Sequence, residues 1–225
     1  MSCSVDHLVI AAHSLAQGAA WCEQTLGLRP GPGGRHALMG THNQLFSIAS
    51  SVFPLSYAEI IAIDPEAPPP ARRRWFGLDR ADLQAALKQG PRLLHWAART
   101  QRLDEERAAM LRQGLDPGPA VALARAGAAG ELRWRLTIRD DGELLARGAV
   151  PSLIEWQGAH PAASLPASGA SLQALRWCGG DVVGAASGPA VDGVERMPES
   201  GPPVFEIRLQ TPRGLVSLRS SSSFS

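Results

Sequence analysis

The chain has 225 residues, 44% of them hydrophobic and 19% charged, which is enough to bury a substantial core. Its net charge of +1, from 22 basic and 21 acidic residues, leaves no broad basic surface, so nucleic acid is not an expected partner. The sequence has no run of about 18 apolar residues and no secretory pattern, so no membrane span or export signal is predicted. Its three scattered cysteines make no disulfide framework or zinc spacing, and a cytoplasmic location is expected.

The first elements in chain order are a strand and a helix. The apolar strand Val5–Ala11 precedes a segment with helical apolar spacing, Leu15–Leu26, which ends at Gly27, where a left-handed residue is expected. Three strand-like segments follow in this first half: Arg35–Met39, Asn43–Ile48 and Tyr57–Ile63. Residues 5–65, here called module 1, therefore have the order βαβββ.

Residues 66–92 form a proline-rich linker that contains a short helical segment, Arg80–Gln89. The strand Leu93–Arg99 and the helix Leu103–Arg112 then begin module 2, residues 93–161. Its later strand-like segments are Val121–Arg125, Leu132–Ile138 and Leu144–Trp156, the last containing two strands or a bend at Pro151.

The remaining residues, 162–225, form a C-terminal extension. A helix or loop is predicted near Leu172–Trp177, followed by a glycine-rich stretch. Two strands, Val204–Leu209 and Gly214–Leu218, come next, and the chain closes on a serine-rich end that is expected to fray.

The two modules also resemble each other in sequence. DHLVIAAHSL, residues 6–15, matches LHWAARTQRL, residues 94–103, and this places His7 on His95. EIIAIDP, residues 59–65, matches EWQGAHP, residues 155–161, and this places Glu59 on Glu155. Two further matches lie between these in the same order, so the sequence indicates an internal duplication.

Duplicated βαβββ modules with His in the first strand and Glu in the last resemble the vicinal-oxygen-chelate superfamily, which includes glyoxalase I, extradiol dioxygenases and bleomycin-resistance proteins. The strings DHLVIAAHSL, GGRHALMGTHNQLFSI, YAEIIAIDPEAP, RRRWFGLD and VPSLIEWQGAHPAASLP are similar to its glyoxalase-like domain subgroup, over roughly residues 5–220. The resemblance implies an α+β fold in a single domain, residues 1–225. The two modules would form a concave, barrel-like mixed sheet, with a β-containing C-terminal extension.

Strand alternation predicts which side chains face the concave side. Because the neighbouring apolar residues would face the helices, His7, Glu59, His95 and Glu155 are all expected there. The resemblance implies that they meet in one metal site, and imidazole with carboxylate suits Zn, Ni, Fe or Mn. The alternatives are a hydrogen-bonded core histidine, and a Glu59 that pairs with Arg99.

The same alternation predicts substrate-binding side chains. Asn43 and Tyr57 are expected on the concave side in module 1, and Arg133 and Arg135 in module 2. An arginine pair there would favour an anionic small molecule. The alternative is that these arginines reach the rim and pair with Glu131 or Glu143.

The positions of several further side chains are also predicted. Trp75 and Phe76 would either cap the cavity or pin the linker to the sheet. Either His36 or His42 would line the cavity mouth, whereas His160 is predicted to be exposed in a loop.

Three functions fit this pattern. The first is a metal-dependent lyase or isomerase of the glyoxalase type, in which the metal grips vicinal oxygens and Glu59 or Glu155 acts as general base. The second is a non-haem Fe(II) extradiol-type dioxygenase, and the third is a metal-free binding or resistance-type protein. In each case the partner is a small molecule, and a homodimer is compatible with the sequence.

Overall fold

The computed structural model describes residues 3–127, 130–178, 188–197 and 202–220, and its strands form two sheets. The strands of the first sheet are β1 (Ser4–Ala11), β2 (Gly31–His36), β3 (Thr41–Ser47), β4 (Tyr57–Ile63), β5 (Arg92–Arg99), β6 (Ala120–Gly127), β7 (Gly130–Thr137) and β8 (Ser152–Gln157). Those of the second are β9 (Ser171–Cys178), β10 (Val194–Arg196), β11 (Val204–Thr211) and β12 (Gly214–Arg219). The α-helices of this part of the chain are α1 (Leu15–Trp21), α2 (Ala81–Gln89) and α3 (Leu103–Arg112).

The order of the first sheet is β2-β3-β4-β1-β5-β8-β7-β6, so each module contributes four strands in mirrored order. The first and last strands of each module pair in parallel, β1 with β4 and β5 with β8. The two modules join where β1 and β5 run antiparallel. Because the edge strands β2 and β6 also approach each other, the sheet curves into a nearly closed barrel.

Side chains alternate between an outer and an inner core across this sheet. Leu8, Ile10 and Ile60 belong to the outer core, on the helix side, whereas Val9 and Ile61 belong to the inner core of the concave face. The two cores are separate clusters, so the strands are buried on both faces.

Helix α1 lies directly on the outer face of β4. Ser14 caps it by accepting a hydrogen bond from the Gln17 backbone N–H. A Cβ atom at Gly18 would lie 2.2 Å from the Cγ2 atom of Ile60, so this close helix–strand contact requires glycine. The helix continues into a wider turn, Cys22–Leu26, and ends at Gly27 with φ 74°, as predicted.

The second sheet covers the outer core. Its order is β10-β9-β11-β12, and Leu172, Phe205 and Leu209 from it are fully buried among the outer-core residues. The C-terminal extension is therefore a part of the hydrophobic core.

The predicted fold class is confirmed, and local predictions were wrong at two places. The helix or loop near Leu172–Trp177 is strand β9; a bulge opposite Arg208 and Leu209 shifts its register. The strand predicted at Arg35–Met39 begins and ends earlier, at Gly31–His36. Of the two alternatives for Leu144–Trp156, the structure has the bend: a short 3₁₀ turn precedes Pro151, and one strand follows it.

Most of the glycine-rich stretch and the serine end beyond Ser220 lie outside the described residues. Within the described ranges, every helix is too short or too polar to cross a membrane.

Candidate active site

The concave face of module 1 holds a small enclosed cavity. Its volume of about 20 Å³ is room for roughly one water molecule. His7, Asn43, Tyr57 and Glu59 line it, as the alternation predicted for these four residues. His36, one of the two residues predicted for the cavity mouth, lines it as well.

A chain of polar contacts runs through this cavity. The Nδ1 atom of His7 lies 2.7 Å from a carboxylate oxygen of Asp6, and its Nε2 atom faces the Oε1 atom of Glu59 at 3.9 Å. The other oxygen of Glu59 accepts a hydrogen bond from the side-chain amide of Asn43 at 2.7 Å. Asp6, His7 and Glu59 are each 5% exposed or less, so this set of groups is held apart from solvent.

Asp6 meets the neighbouring His7 because β1 bulges at this position. The pairing of β1 with β5 passes from Val5 directly to His7, which leaves Asp6 as the extra residue. The Asp6 carboxylate also accepts hydrogen bonds from the indole of Trp156 at 3.0 Å and from His160 at 2.8 Å. One fully buried carboxylate therefore organises groups from β1, from β8 and from the chain just after β8.

The charges at this site favour a carboxylate and an imidazolium. Burial opposes ionisation of Asp6, but the hydrogen bonds from His160 and His7 outweigh it and hold the pKa of Asp6 well below its usual range. Burial also opposes protonation of His7, yet the hydrogen bond to Asp6 and the charge of Glu59 raise the pKa of His7 above its ordinary value.

Tyr57 completes the polar lining. Its ring stacks on the His7 ring with centroids 4.9 Å apart. Burial, together with the charges of Asp6 and Glu59, raises the pKa of Tyr57 well above its usual range. Its hydroxyl therefore stays protonated and is a hydrogen-bond donor at neutral pH.

Trp75 and Phe76 of the linker fill the rest of the concave face. Their rings stack with centroids 5.1 Å apart and line both this cavity and a second one of about 20 Å³ on the module 2 side. Phe76 adopts φ 61°, a left-handed conformation that is strained for a residue with a Cβ atom. The Trp75 indole N–H is buried and, within the described residues, has no hydrogen-bond partner. Both predicted roles are thus combined, because the pair caps the cavity and attaches the linker to the sheet.

His95 lines the second cavity, under the ring of Phe76. Its Nε2 atom accepts the backbone N–H of Ser152 at 3.1 Å, and its Nδ1 atom donates to the carbonyl of Gly148 at 3.2 Å. Burial lowers the pKa of His95 to about 3. The ring is therefore neutral, and the lone pair that a metal would need is already engaged.

Glu155 lies on the opposite face of the sheet, so its predicted concave orientation is wrong. Its Oε1 atom accepts the backbone N–H of Leu103 at 3.3 Å, at the start of α3, and its Oε2 atom pairs with Arg135 at 3.2 Å. The concave side of β8 is taken instead by Ile154 and Trp156.

The predicted orientations of Arg133 and Arg135 are wrong for the same reason. Arg135 pairs with Glu155 and Asp104 on the α3 side, and the largely exposed Arg133 pairs with Glu131, as the alternative had it. Trp134 and Leu136 occupy the concave side of β7. The apolar face was identified correctly but assigned to the helix layer, because the concave face is itself apolar around Trp75 and Phe76.

The four predicted metal ligands therefore do not converge. His7 and Glu59 share one cavity, His95 lines another, and Glu155 lies outside the concave face. Among the described residues, no three His, Cys, Asp or Glu side chains are grouped to hold a metal ion. The residues present do not fit the four-ligand site.

Sequence reasoning missed Asp6, His160 and Arg125. The Asp6–His7 dipeptide could not indicate a contact, since neighbours in a regular strand point to opposite faces and only the bulge brings them together. His160 was predicted as exposed, but its ring is mostly buried against Asp6. Arg125 could have been found by alternation, because it lies two residues after Leu123 on the inner side of β6.

The mirrored modules, the parallel pairing of first and last strands and the His–Glu pair on the concave face define the class as the vicinal-oxygen-chelate fold. The chain belongs to the glyoxalase-like domain family of this superfamily, whose model matches residues 5–187. No curated protein sequence matches the chain.

One solved structure shares the fold at low sequence identity, and a second one is less similar. A hypothetical protein from Staphylococcus aureus is 14% identical with a TM-score of 0.52; the match covers 78% of this chain and 69% of that one. A methylmalonyl-CoA epimerase from Streptomyces coelicolor is 19% identical with a TM-score of 0.43, covering 71% of this chain and 99% of that one.

Proposed function

We propose that this protein is a small-molecule enzyme of the lyase or isomerase type that moves a proton at a carbon next to a carbonyl group. The observation that carries the proposal is the buried His7–Glu59 pair, anchored by Asp6 on one side and Asn43 on the other. The 3.9 Å between the His7 and Glu59 atoms is too long for a hydrogen bond, so both groups are available to a substrate.

In this proposal Glu59 is the general base. Its carboxylate accepts the proton from the substrate carbon, and Asn43 holds it in place. The carbon–hydrogen electron pair moves into an enolate, and the His7 imidazolium donates a hydrogen bond to the oxygen on which negative charge develops. Return of the proton to the opposite face of the same carbon gives an isomer. If the enolate instead expels a leaving group from the neighbouring carbon, together with its bonding electron pair, the outcome is that of a lyase.

His7 is suited to the second role by its environment. Asp6 accepts from Nδ1, so Nε2 is the atom that faces the cavity, and the raised pKa favours the charged form of the ring. Tyr57 stacks on the His7 ring and so helps to hold it in this orientation. No step here uses a metal, because two of the four predicted ligands lie elsewhere. The Fe(II) dioxygenase hypothesis needs two histidines with free lone pairs at one site. His95 does not meet this requirement, because its lone pair accepts the Ser152 backbone N–H.

Solvent deuterium incorporation tests the proposal. The protein is incubated in D₂O with a panel of 2-oxo acids and 2-hydroxy ketones, and loss of the carbon-bound proton is followed by NMR. We expect catalysed exchange in at least one compound, reduced by about a hundredfold or more in Glu59→Gln and in His7→Asn. Exchange that persists in both variants, or no catalysed exchange across the panel, would contradict it.

A second candidate is a metal-free binding protein. Trp75, Phe76, Trp134 and Trp156 line the cavity, and a planar ligand would stack on these rings by displacing part of the lining, since the cavity itself has room for roughly one water molecule. Ligand-induced thermal stabilisation without any exchange reaction would support this candidate instead.

A further inference from the structure

A large groove adjoins the His7–Glu59 cavity. It lies between the two modules, with Leu45 of β3 on one side and Leu132 of β7 on the other, and the segment 159–168 covers it. Its volume of about 560 Å³ is in the range of small-molecule sites, unlike that of the cavity beside it.

Arg125 connects the groove to the cavity, because its side chain lines both. Gly34 provides the space, since a Cβ atom there would lie 2.7 Å from the Nη1 atom of Arg125. The guanidinium donates to the backbone carbonyl of Ala126, but among the described residues it pairs with no carboxylate. A half-buried arginine whose charge is unmatched has capacity for an anionic ligand.

The other charged groups at the groove are already matched. Arg29 pairs with Glu23, and Glu131 pairs with Arg133. His160 accepts the Ala162 backbone N–H at Nδ1, and its Nε2 atom lies 2.8 Å from the Asp6 carboxylate, so both ring nitrogens already have partners. The rest of the lining is mainly apolar: Leu28, Leu45, Phe46, Leu132 and Leu165.

We propose that this groove binds the part of the substrate that lies outside the His7–Glu59 cavity, and that the substrate is an organic acid with an apolar chain or ring. Its anionic group binds Arg125 and its apolar body lies along the groove. This inference rests on the proposed function of the adjoining cavity. Because Arg125 lines both spaces, the anionic end of the acid would lie at the junction of the groove with the cavity in which the proposed proton transfer takes place.

Straight-chain acids are suitable probes of the groove. Binding of hexanoate and octanoate is measured by calorimetry, with hexanol and octanol as matched neutral probes. We expect the acids to bind about ten- to a hundredfold more tightly than the alcohols, because the charged hydrogen bond to Arg125 is lost in the alcohols. Affinity should rise about fourfold for each added methylene that enters the groove.

The matched variants are Arg125→Met and Arg112→Met, since Arg112 is exposed in the last turn of α3 and away from the groove. Arg125→Met should remove the preference for acids over alcohols, and Arg112→Met should leave it unchanged. If Arg125→Met does not fold, the acid–alcohol comparison on the unmodified protein and Arg125→Lys remain as tests. Equal affinity of acids and alcohols, or no binding of either, would overturn the groove assignment.

The outcomes separate this inference from the proposed function. Octanoate binding that depends on Arg125, with no catalysed exchange, keeps the groove and removes the proton-transfer proposal. Exchange that depends on Glu59 but is insensitive to octanoate and to Arg125→Met removes the groove and keeps the proton transfer.

Discussion

At the residue scale, the central feature is that the histidines on the concave face have opposite electrostatic environments. His7 has the carboxylates of Asp6 and Glu59 on its two ring nitrogens, which raise its pKa. His36 and His95 are buried without a carboxylate partner, and burial lowers the pKa of each to about 3. His36 and His95 are therefore neutral structural groups, whereas the raised pKa of His7 favours the charged form that the proposed chemistry uses.

This contrast predicts the pH dependence of stability. An unfolded histidine has a pKa of about 6.5. Between roughly pH 6.5 and pH 3, therefore, His36 and His95 are protonated in the unfolded chain but not in the folded protein. The free energy of unfolding should therefore fall on acidification across this range. His7, with its raised pKa, acts in the opposite direction; its contribution is complete below about pH 6.5 and is lost as the pH rises through its folded value.

The substitution His95→Gln removes the contribution of one of these histidines to the pH dependence of stability. Urea unfolding at several pH values between 6 and 4 should show a slope smaller by up to about 1.4 kcal/mol per pH unit than in the unmodified protein. The exposed His13→Gln serves as the control and should leave the slope unchanged. An unchanged slope in His95→Gln would mean that folded His95 is not held neutral.

At the element scale, the linker segment at Trp75 and Phe76 closes the concave face at a conformational cost. A left-handed φ costs an ordinary residue about 1 kcal/mol that glycine avoids. Phe76→Ala and Phe76→Gly should both destabilise the protein, by about 3 kcal/mol or more, because a buried ring is lost.

The order of these two variants is the test. Phe76→Gly should be more stable than Phe76→Ala by about 1 kcal/mol, the reverse of the usual order, in thermal or urea unfolding. At the buried Phe46 of β3, whose φ is not positive, glycine should be the less stable of the two. Alanine more stable than glycine at position 76 would show that this backbone strain is absent.

The elements were predicted more completely than the directions of their side chains. The order βαβββ in each module follows from apolar periodicity and turn residues, and the structure has it. The faces of β7 and β8 were assigned to the wrong layers, because the concave side of module 2 is itself apolar and alternation alone does not show which layer an apolar face meets. Strand β9 was missed because its bulge puts Leu172 and Leu175 three residues apart, which is also a helical spacing.

At the scale of the whole molecule, the C-terminal sheet and the barrel share the outer core. Phe205 of β11 is fully buried in the same cluster as Leu8 and Ile60. Phe205→Ala should therefore lower the free energy of unfolding of the entire protein by about 3–5 kcal/mol. Tryptophan fluorescence and circular dichroism should report one shared transition; separate transitions, with only one of them shifted, would contradict a common core.

The duplication of the molecule also has a functional consequence. Its two modules are alike in backbone order but differ in chemistry: Glu59 lies with His7 on the concave face, whereas its sequence counterpart Glu155 pairs with Arg135 beside α3. The sequence predicted His7, Asn43, Tyr57 and Glu59 together on the concave side. It could not show that Glu155 points away from the concave side, because this depends on which face of β8 is turned toward α3.

The most direct test compares the two glutamates. Deuterium exchange into the best compound of the carbonyl panel is measured for Glu59→Gln and Glu155→Gln, each checked for folding by circular dichroism. We predict that Glu59→Gln loses about a hundredfold or more of the exchange rate and that Glu155→Gln stays within about threefold of the unmodified protein. Equal and large losses in both variants would contradict a site built from module 1 and would favour the four-residue metal site.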